Sequence, residues 1–253
     1  MNKLDRHRYI LDLIESDGRV SVSEISARIH VSEMTVRRDL EALEQAGMLA
    51  RVHGGAVTTQ SRSYEPGFHG RSLRNEEAKT RIGHAAADLL REGETVIIDG
   101  GTTTLKVAEA LRCRRNLRVL ALNLRIADVL ADDPGITVML PGGIVRPHER
   151  SLVGGLTEAA FRDLFFDTLV LSAGGVSATA GVTEYVPDDA ETKRAAVASA
   201  RRRILVADST KLDQVAFARV CAISDVDTLV TDGEHHRATV DELRAGGLNV
   251  EVV

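Results

Sequence analysis

The sequence predicts a mixed α/β protein. A small N-terminal helix-turn-helix with a hairpin precedes a larger Rossmann-like domain built on a mainly parallel sheet. Three observations predict this. Residues 1–57 carry apolar stripes at helical spacing, punctuated by capping signals. Residues 58–75 lack periodicity and hold Pro66, Gly67 and Gly70, the composition of a linker. From Glu76 onward, short β-branched runs alternate with amphipathic stretches, the mark of βα units. The expected organisation is therefore 1–57, a linker at 58–75, and 76–253.

The first helix is expected over about Leu4–Ser16, with Tyr9, Ile10, Leu13 and Ile14 apolar and Gly18 ending it. Ser21-Val22-Ser23-Glu24 is a capping box, so a second helix starts there, with Val22, Ile25 and Ile29 as its stripe, and ends near His30. Ser32 is a good N-cap for a third helix through about Gln45, closed by Gly47. Two helices joined by so short a turn form a helix-turn-helix. Val36, Leu40 and Leu43, spaced i, i+4, i+7, must face inward. Met34, Arg38, Glu41 and Gln45 then point outward, with Thr35 and Arg37 on the flanks. An Arg at that end of a recognition helix binds guanine N7 and O6 or clamps a phosphate. Backbone amides near Ser32 suit a phosphate. Next, two β-prone runs flank Gly54-Gly55 and read as a hairpin, which presents Arg51 and His53 as a wing. Pattern alone leaves this head open between DNA binding and protein interaction.

Strands are expected at Thr95–Ile98, Leu117–Leu122, Ile136–Leu140, Thr168–Ser172, Arg203–Ala207, Thr228–Thr231 and Asn249–Val253. Helices are expected at Lys79–Arg91, Thr104–Leu111, Ile126–Ala131, Thr157–Leu164, Ala190–Arg201 and Val240–Ala245. In an open α/β sheet, ligands sit beyond the carboxyl ends of the strands. The small polar loops that follow the strands collect there: Asp99, Gly100, Gly101, Thr102, Thr103 and Thr104, then Asn123, Gly142, Gly143, Gly174 and the turn before Lys211. Glycines admit a ligand close to the backbone. Threonine hydroxyls and helix-start amides suit a phosphate. The loop matches neither a Walker sequence nor a dinucleotide fingerprint. Lys193, Lys211, Arg146 and Arg150 are candidate cations for the anion. Asp99 and Asp208 are candidates to orient the loops. Arg201-Arg202-Arg203 reads as a solvated helix end, and His235-His236 gives no metal-ligand spacing. No metal and no cofactor are expected.

Composition narrows the classes. The chain of 253 residues is 43% hydrophobic and 27% charged, which excludes wholesale disorder. No run reaches the roughly 18 apolar residues of a membrane span, and the charged start, Met1 to Arg8, lacks the apolar segment of a secretory signal. Only Cys113 and Cys221 are present, both in apolar-rich segments, so a disulfide framework and a zinc finger are excluded and a cytoplasmic setting is expected. With 3% aromatic residues and no Trp, the composition argues against a stacking platform for single-stranded nucleic acid. Net charge is −5; residues 1–75 carry 11 basic against 10 acidic side chains, and residues 76–253 carry 21 against 27. Any DNA contact is therefore confined to a local cluster in the head, with the acidic remainder repelled from the duplex.

Val31-Ser32-Glu33-Met34-Thr35-Val36-Arg37-Arg38-Asp39-Leu40-Glu41-Ala42-Leu43-Glu44, then Gly47 and Arg51-Val52-His53-Gly54-Gly55-Ala56, resembles the winged helix-turn-helix of the DeoR family of bacterial transcriptional regulators. The resemblance implies binding to double-stranded operator DNA, usually to repress a sugar-catabolism operon. Ser32, Thr35, Arg37 and Arg38 are then the groove and phosphate contacts, and Arg51 and His53 belong to the wing. Further on, Ile98 to Thr104, Gly142-Gly143 through Gly154, Gly181-Val182-Thr183, Glu191-Thr192-Lys193-Arg194, Ala207 to Lys211 and Val230-Thr231-Asp232 resemble the family's C-terminal sensor domain. That domain is similar in fold to ribose-phosphate isomerases and implies a phosphorylated sugar effector and a homo-oligomer, dimer or tetramer. There are two departures. Leu122 stands where many relatives have Thr before Asn123. Ser172-Ala173-Gly174-Gly175-Val176-Ser177 replaces the acidic segment of the isomerases, which implies binding without turnover, because isomerisation needs a base. A sugar-phosphate isomerase with an accessory helical domain is the rival from another class. Sequence does not separate repression from activation.

Overall fold

The computed structural model describes residues 3–45, 48–57 and 62–253, excluding the side chains of residues 15, 16, 234 and 235, and divides into two units, Met1–Arg74 and Asn75–Val253. In the first unit α1 (Lys3–Asp17), β1 (Arg19–Ser21), α2 (Val22–Ile29), α3 (Glu33–Gln45), β2 (Ala50–Val52), β3 (Gly55–Val57) and α4 (Phe68–Leu73) follow in order. The capping box forms: the Glu24 amide donates to Ser21 Oγ at 3.1 Å, and the Ser21 amide to Glu24 Oε2 at 2.8 Å. His30 turns left-handed with φ 55° and ends α2. Ile10, Ile14, Val20, Ile25, Val36, Leu40, Leu43 and Leu49 bury together as one core.

The hairpin differs from expectation in two respects. Its turn is His53-Gly54, with Gly54 at φ +79°, and Gly55 is already a strand residue opposite Val52. A Cβ on Gly55 would lie 2.2 Å from the Val20 carbonyl oxygen, because β1 packs along β3 as a third strand, in the order β1-β3-β2. β1 is only three residues long and follows Gly18 directly, too short to show an alternation. The expected stop at Gly47 lies outside the described residues.

The second unit contains α5 (Glu76–Asp88), β4 (Thr95–Ile98), α6 (Thr102–Leu111), β5 (Leu117–Ala121), α7 (Leu124–Leu130), β6 (Ile136–Met139), β7 (Ile144–Val145), β8 (Leu152–Val153), α8 (Gly155–Ala159), β9 (Phe166–Leu171), β10 (Gly175–Ser177), β11 (Gly181–Glu184), α9 (Pro187–Ser199), β12 (Ala200–Val206), β13 (Ala218–Cys221), β14 (Thr228–Thr231), α10 (Arg237–Ala245) and β15 (Asn249–Val252). Seven strands form one sheet in the order β15-β14-β12-β9-β4-β5-β6, and every neighbouring pair is parallel. Alternate residues serve opposite faces. Val96 and Ile98 join one core with Val119, Val170 and Val206, while Ile97 joins the other with Leu120, Leu169 and Leu205. Burial on both faces explains the nearly unbroken apolar runs.

Four readings are corrected here. Arg201, Arg202 and Arg203 lie in β12 and not at a helix end; Arg202 pairs with Glu94 at 3.1 Å and Arg203 with Asp227 at 3.2 Å. Parallel pairing with β9 captures this stretch from Ala200 onward. The helix expected to reach Leu164 stops at Ala159. Leu122 is buried in the core, so its departure from Thr adds no side chain to the ligand edge. Cys113 is exposed, whereas Cys221 is buried, which pushes its thiol up to about 11. The antiparallel sheet β10-β11-β13 and the β7-β8 hairpin had no counterpart in the sequence reading.

Candidate DNA-reading face and ligand edge

On α3, Val36, Leu40 and Leu43 are buried, as their spacing requires, while Met34, Arg37, Arg38, Glu41 and Gln45 are exposed. Ser32 caps the helix: the Thr35 amide donates to its Oγ at 3.2 Å, and the two hydroxyls lie 2.9 Å apart. Arg37 pairs with Glu33 at 3.2 Å across one turn, and Arg38 stands beside it on the exposed face. Arg51 is exposed on β2, 3.8 Å from the Glu44 carboxylate, and His53 is exposed in the turn. Sequence reasoning missed Asp39, a buried carboxylate on the inward side of α3. Arg6 grips it with two nitrogens and His7 Nε2 lies 3.2 Å from it. Burial pushes the Asp39 carboxyl up, but Arg6 and His7 outweigh this and hold it below the usual carboxylate range.

In the second unit the carboxyl ends of β4, β5, β9 and β12 carry the expected loops. Asp99 leaves β4 buried, and its Oδ2 accepts the Ser172 amide at 2.9 Å and the Ser172 hydroxyl at 2.7 Å. This fixes the β4 and β9 loops to each other. Gly101 precedes α6, and a Cβ there would lie 3.0 Å from the Ser172 side chain, so the two loops approach closely at this point. Thr102, Thr103 and Thr104 follow as the first turn of α6, all buried, with Thr104 Oγ1 donating back to the Gly101 carbonyl at 3.1 Å. Asn123 caps α7 by accepting the Arg125 amide at 2.9 Å and donates to the Glu149 carbonyl at 2.9 Å.

Lys193 is not a solvated helix residue. It is 4% exposed, and its Nζ lies 2.6 Å from Glu184 Oε2, 2.9 Å from Asp99 Oδ2 and 3.0 Å from Ser172 Oγ. Burial opposes its charge, but the two carboxylates raise the ammonium well above the ordinary lysine value. Burial also pushes Glu184 up, and Lys193 more than reverses this. Carboxylates are thus present at this edge, contrary to the reading of the Ser172–Ser177 segment. They come from β4 and from the end of β11, and both are engaged by one lysine. Glu184 and Ser172 carry no local signal in the sequence, because they meet only when β11 and β9 end beside each other.

Gly142 and Gly143 lie after β6. Gly143 has φ +106°, and a Cβ on it would lie 2.0 Å from Thr157 Oγ1, which itself donates to the Gly142 carbonyl at 2.8 Å. Gly174 abuts Glu184 and the Tyr185 ring. Lys211 donates to the Tyr185 hydroxyl at 3.1 Å. Arg146 pairs with Asp189, which also accepts the Ser151 hydroxyl at 3.0 Å; Arg150 is exposed. Asp208 caps the turn before Lys211 through the Thr210 amide at 3.1 Å. It also receives Asn75 Nδ2 at 3.4 Å and lies 3.8 Å from Lys79 Nζ, and both Lys79 and Asp208 are buried. Among the described residues no His, Cys, Asp and Glu cluster is arranged for a metal, and no helix is long and apolar enough to cross a membrane.

Two family models match the chain: the DeoR-like helix-turn-helix domain over residues 6–62, and the DeoR C terminal sensor domain over residues 74–233. The chain belongs to the DeoR family. It is a DNA-binding helix-turn-helix protein of a family of transcriptional regulators. Among DeoR-family relatives, the HTH-type transcriptional regulator GolR of Listeria innocua serovar 6a is 32% identical over 252 residues, 100% of this chain and 99% of that one. The HTH-type transcriptional repressor CsqR of Escherichia coli K12 is 34% identical over 90% and 87% of the two chains. The glycerol-3-phosphate regulon repressor of the same strain is 32% identical over 92% of each. Ribose 5-phosphate isomerase A from Methanocaldococcus jannaschii aligns with 55% of each chain at 13% identity and a TM-score of 0.42. No chemistry is transferred from so distant a likeness. In DeoR terms, the helix-turn-helix match spans α1 to β3, and the sensor match ends at Gly233, before α10 and β15.

Proposed function

We propose that this chain is a cytoplasmic repressor of a sugar or polyol catabolism operon, released from its operator by a phosphorylated sugar. Ser32, Thr35, Arg37 and Arg38 read and clamp the operator, with Arg51 and His53 as the wing. One recognition helix reads few base pairs, so the working form is a homo-oligomer, dimer or tetramer, spanning half-sites about 34 Å or a multiple apart. The observation that carries the effector assignment is the first turn of α6. Its amides and the threonines Thr102–Thr104 open the helix at the carboxyl edge of a parallel sheet, directly after Gly101. Asp99, Gly100, Asn123, Gly142, Gly143, Gly174 and Lys211 surround the effector. Lys193 orients the floor through its two carboxylates instead of touching the ligand. Relatives that include a glycerol-3-phosphate regulon repressor and a putative aga operon transcriptional repressor of Escherichia coli O157:H7 support this ligand class. Engagement of Asp99 and Glu184 by Lys193 supports binding without turnover, since a carboxylate held by an ammonium is a poor base.

The test is fluorescence anisotropy of the full chain on its own upstream DNA at fixed salt, titrated with sugar phosphates. Competitor-resistant binding released by one sugar phosphate is expected. A typical coupling of about 1–3 kcal/mol shifts operator affinity about 5–150-fold. Turnover of a pentose or hexose phosphate, with no DNA binding, would overturn the reading in favour of an isomerase.

A further inference from the structure

The amino ends of β5 and β6 form a second concave site, at the opposite end of the sheet from the ligand edge. A cleft of about 720 Å³ opens between the loop before β5 and the loop before β6. Its chemistry reverses that of the unit around it. Residues 76–253 carry an acidic excess, yet residues 112–118 hold four arginines and no acid. Arg114, Arg115 and Arg118 line the cleft. Arg114 is held by Asp88 at 2.5 Å. The guanidiniums of Arg115 and Arg118 have no hydrogen bond or ion pair among the described residues, and both are exposed. Arg118 lies on β5 in register with Thr137 of β6, which lines the cleft beside it with a hydroxyl donor. The one lining carboxylate, Asp133, accepts the Cys113 amide at 2.6 Å and the Gly135 amide at 2.9 Å, so its charge is turned into the two loops and braces them.

We propose that this cleft binds the oligophosphate group of a small metabolite, separately from the effector edge. Guanidinium forks match phosphate oxygens two at a time. Two unneutralised forks on different elements suit an extended phosphate chain better than a single phosphate. A short cleft between two loops favours a small molecule over the DNA backbone, which is bound through many phosphate contacts spread along the duplex.

The experiment is isothermal titration of the full chain with inorganic tripolyphosphate at fixed salt, in four forms. These are the unmodified chain, Arg115→Ala/Arg118→Ala, Arg37→Ala/Arg38→Ala and Thr103→Val. Both arginine pairs are exposed, and matching thermal midpoints establish that the fold is intact. One tripolyphosphate per chain is expected, with affinity at least tenfold weaker in Arg115→Ala/Arg118→Ala and unchanged in the other two variants. Undiminished binding in Arg115→Ala/Arg118→Ala overturns the proposal. So does loss confined to Arg37→Ala/Arg38→Ala or to Thr103→Val, which would assign the anion to the recognition helix or the effector edge. Absence of binding to the unmodified chain at millimolar concentration overturns it as well.

Discussion

Arg6 and Asp39 form a two-pronged ion pair, Nε to Oδ2 at 2.7 Å and Nη2 to Oδ1 at 3.0 Å, which fastens the recognition helix to the first helix from its inner side. The pair braces α3 from the side that faces the core, although neither residue lies on the exposed face. Removing Asp39 therefore acts on DNA binding through geometry.

Asp39→Asn should destabilise the N-terminal unit by about 1.5–3 kcal/mol, the worth of a hydrogen bond to a charged group, because Arg6 is only partly buried. Because the folded carboxyl is held below its ordinary value, its stabilisation is complete above the unfolded pKa of about 3.9 and is lost as pH falls through the folded value. Urea midpoints at pH 7 and pH 3.5 check this. The unmodified unit should lose stability on acidification, and Asp39→Asn should lose distinctly less.

Lys193→Met leaves Asp99 and Glu184 buried together with no cation between them. A loss of about 3–5 kcal/mol is expected, confined to the second unit. The pH response should also invert. Two carboxylates sharing a dry site hold a proton the unfolded chain lacks, so stability should rise as pH falls from 7 to 5. Adding Glu184→Gln should recover part of the loss. Thermal midpoints of the single and double variants, read across that pH range, decide the matter.

Arg37 and Arg38 should separate in their effects. Arg37 is already tied to Glu33 across one turn, whereas Arg38 is exposed on the face opposite Val36, Leu40 and Leu43. Arg38→Ala should cost about 1–3 kcal/mol on the cognate operator and relax its discrimination. Arg37→Ala should weaken all sequences alike and lower the salt slope by about one. Anisotropy against matched and mismatched operators over a salt series measures both, and the opposite pattern would exchange their roles.

Thr103→Val keeps shape and removes one hydroxyl from the first turn of α6. A lost hydrogen bond to a charged ligand is worth about 1.5–3 kcal/mol. The effector concentration that releases the operator should rise at least tenfold while DNA affinity without effector stays the same. An unchanged release curve would move the phosphate elsewhere.

The central strands of the parallel sheet were legible because β4, β9 and β12 are buried through consecutive apolar residues and run into Asp99, Ser172 and Asp208, while the edge strands β6 and β15 kept enough β-branched residues to be read. The inward stripe of α3 was legible for the same reason: burial imposes a period. The signal failed where pairing is long-range. β1 is three residues long and gains strand character only by lying along β3. Arg201–Arg203 look like a solvated helix end until Thr168 and Glu94 supply partners. At the ligand edge the loops were readable from small residues, but the Asp99–Lys193–Glu184 grouping was not. Asp99 lies far in sequence from the other two, and Glu184 and Lys193, nine residues apart, stand on a strand and the following helix whose pairing no local pattern forecasts.

Asp208 has a consequence that distances alone do not convey. Its carboxylate holds the turn leading to Lys211 and also Asn75 and Lys79, the opening residues of the second unit, directly after Arg74. The ligand edge and the chain's point of entry therefore share one counter-ion. A shift of the 208–211 turn that carries Asp208 with it also alters the contacts of that carboxylate with Asn75 and Lys79.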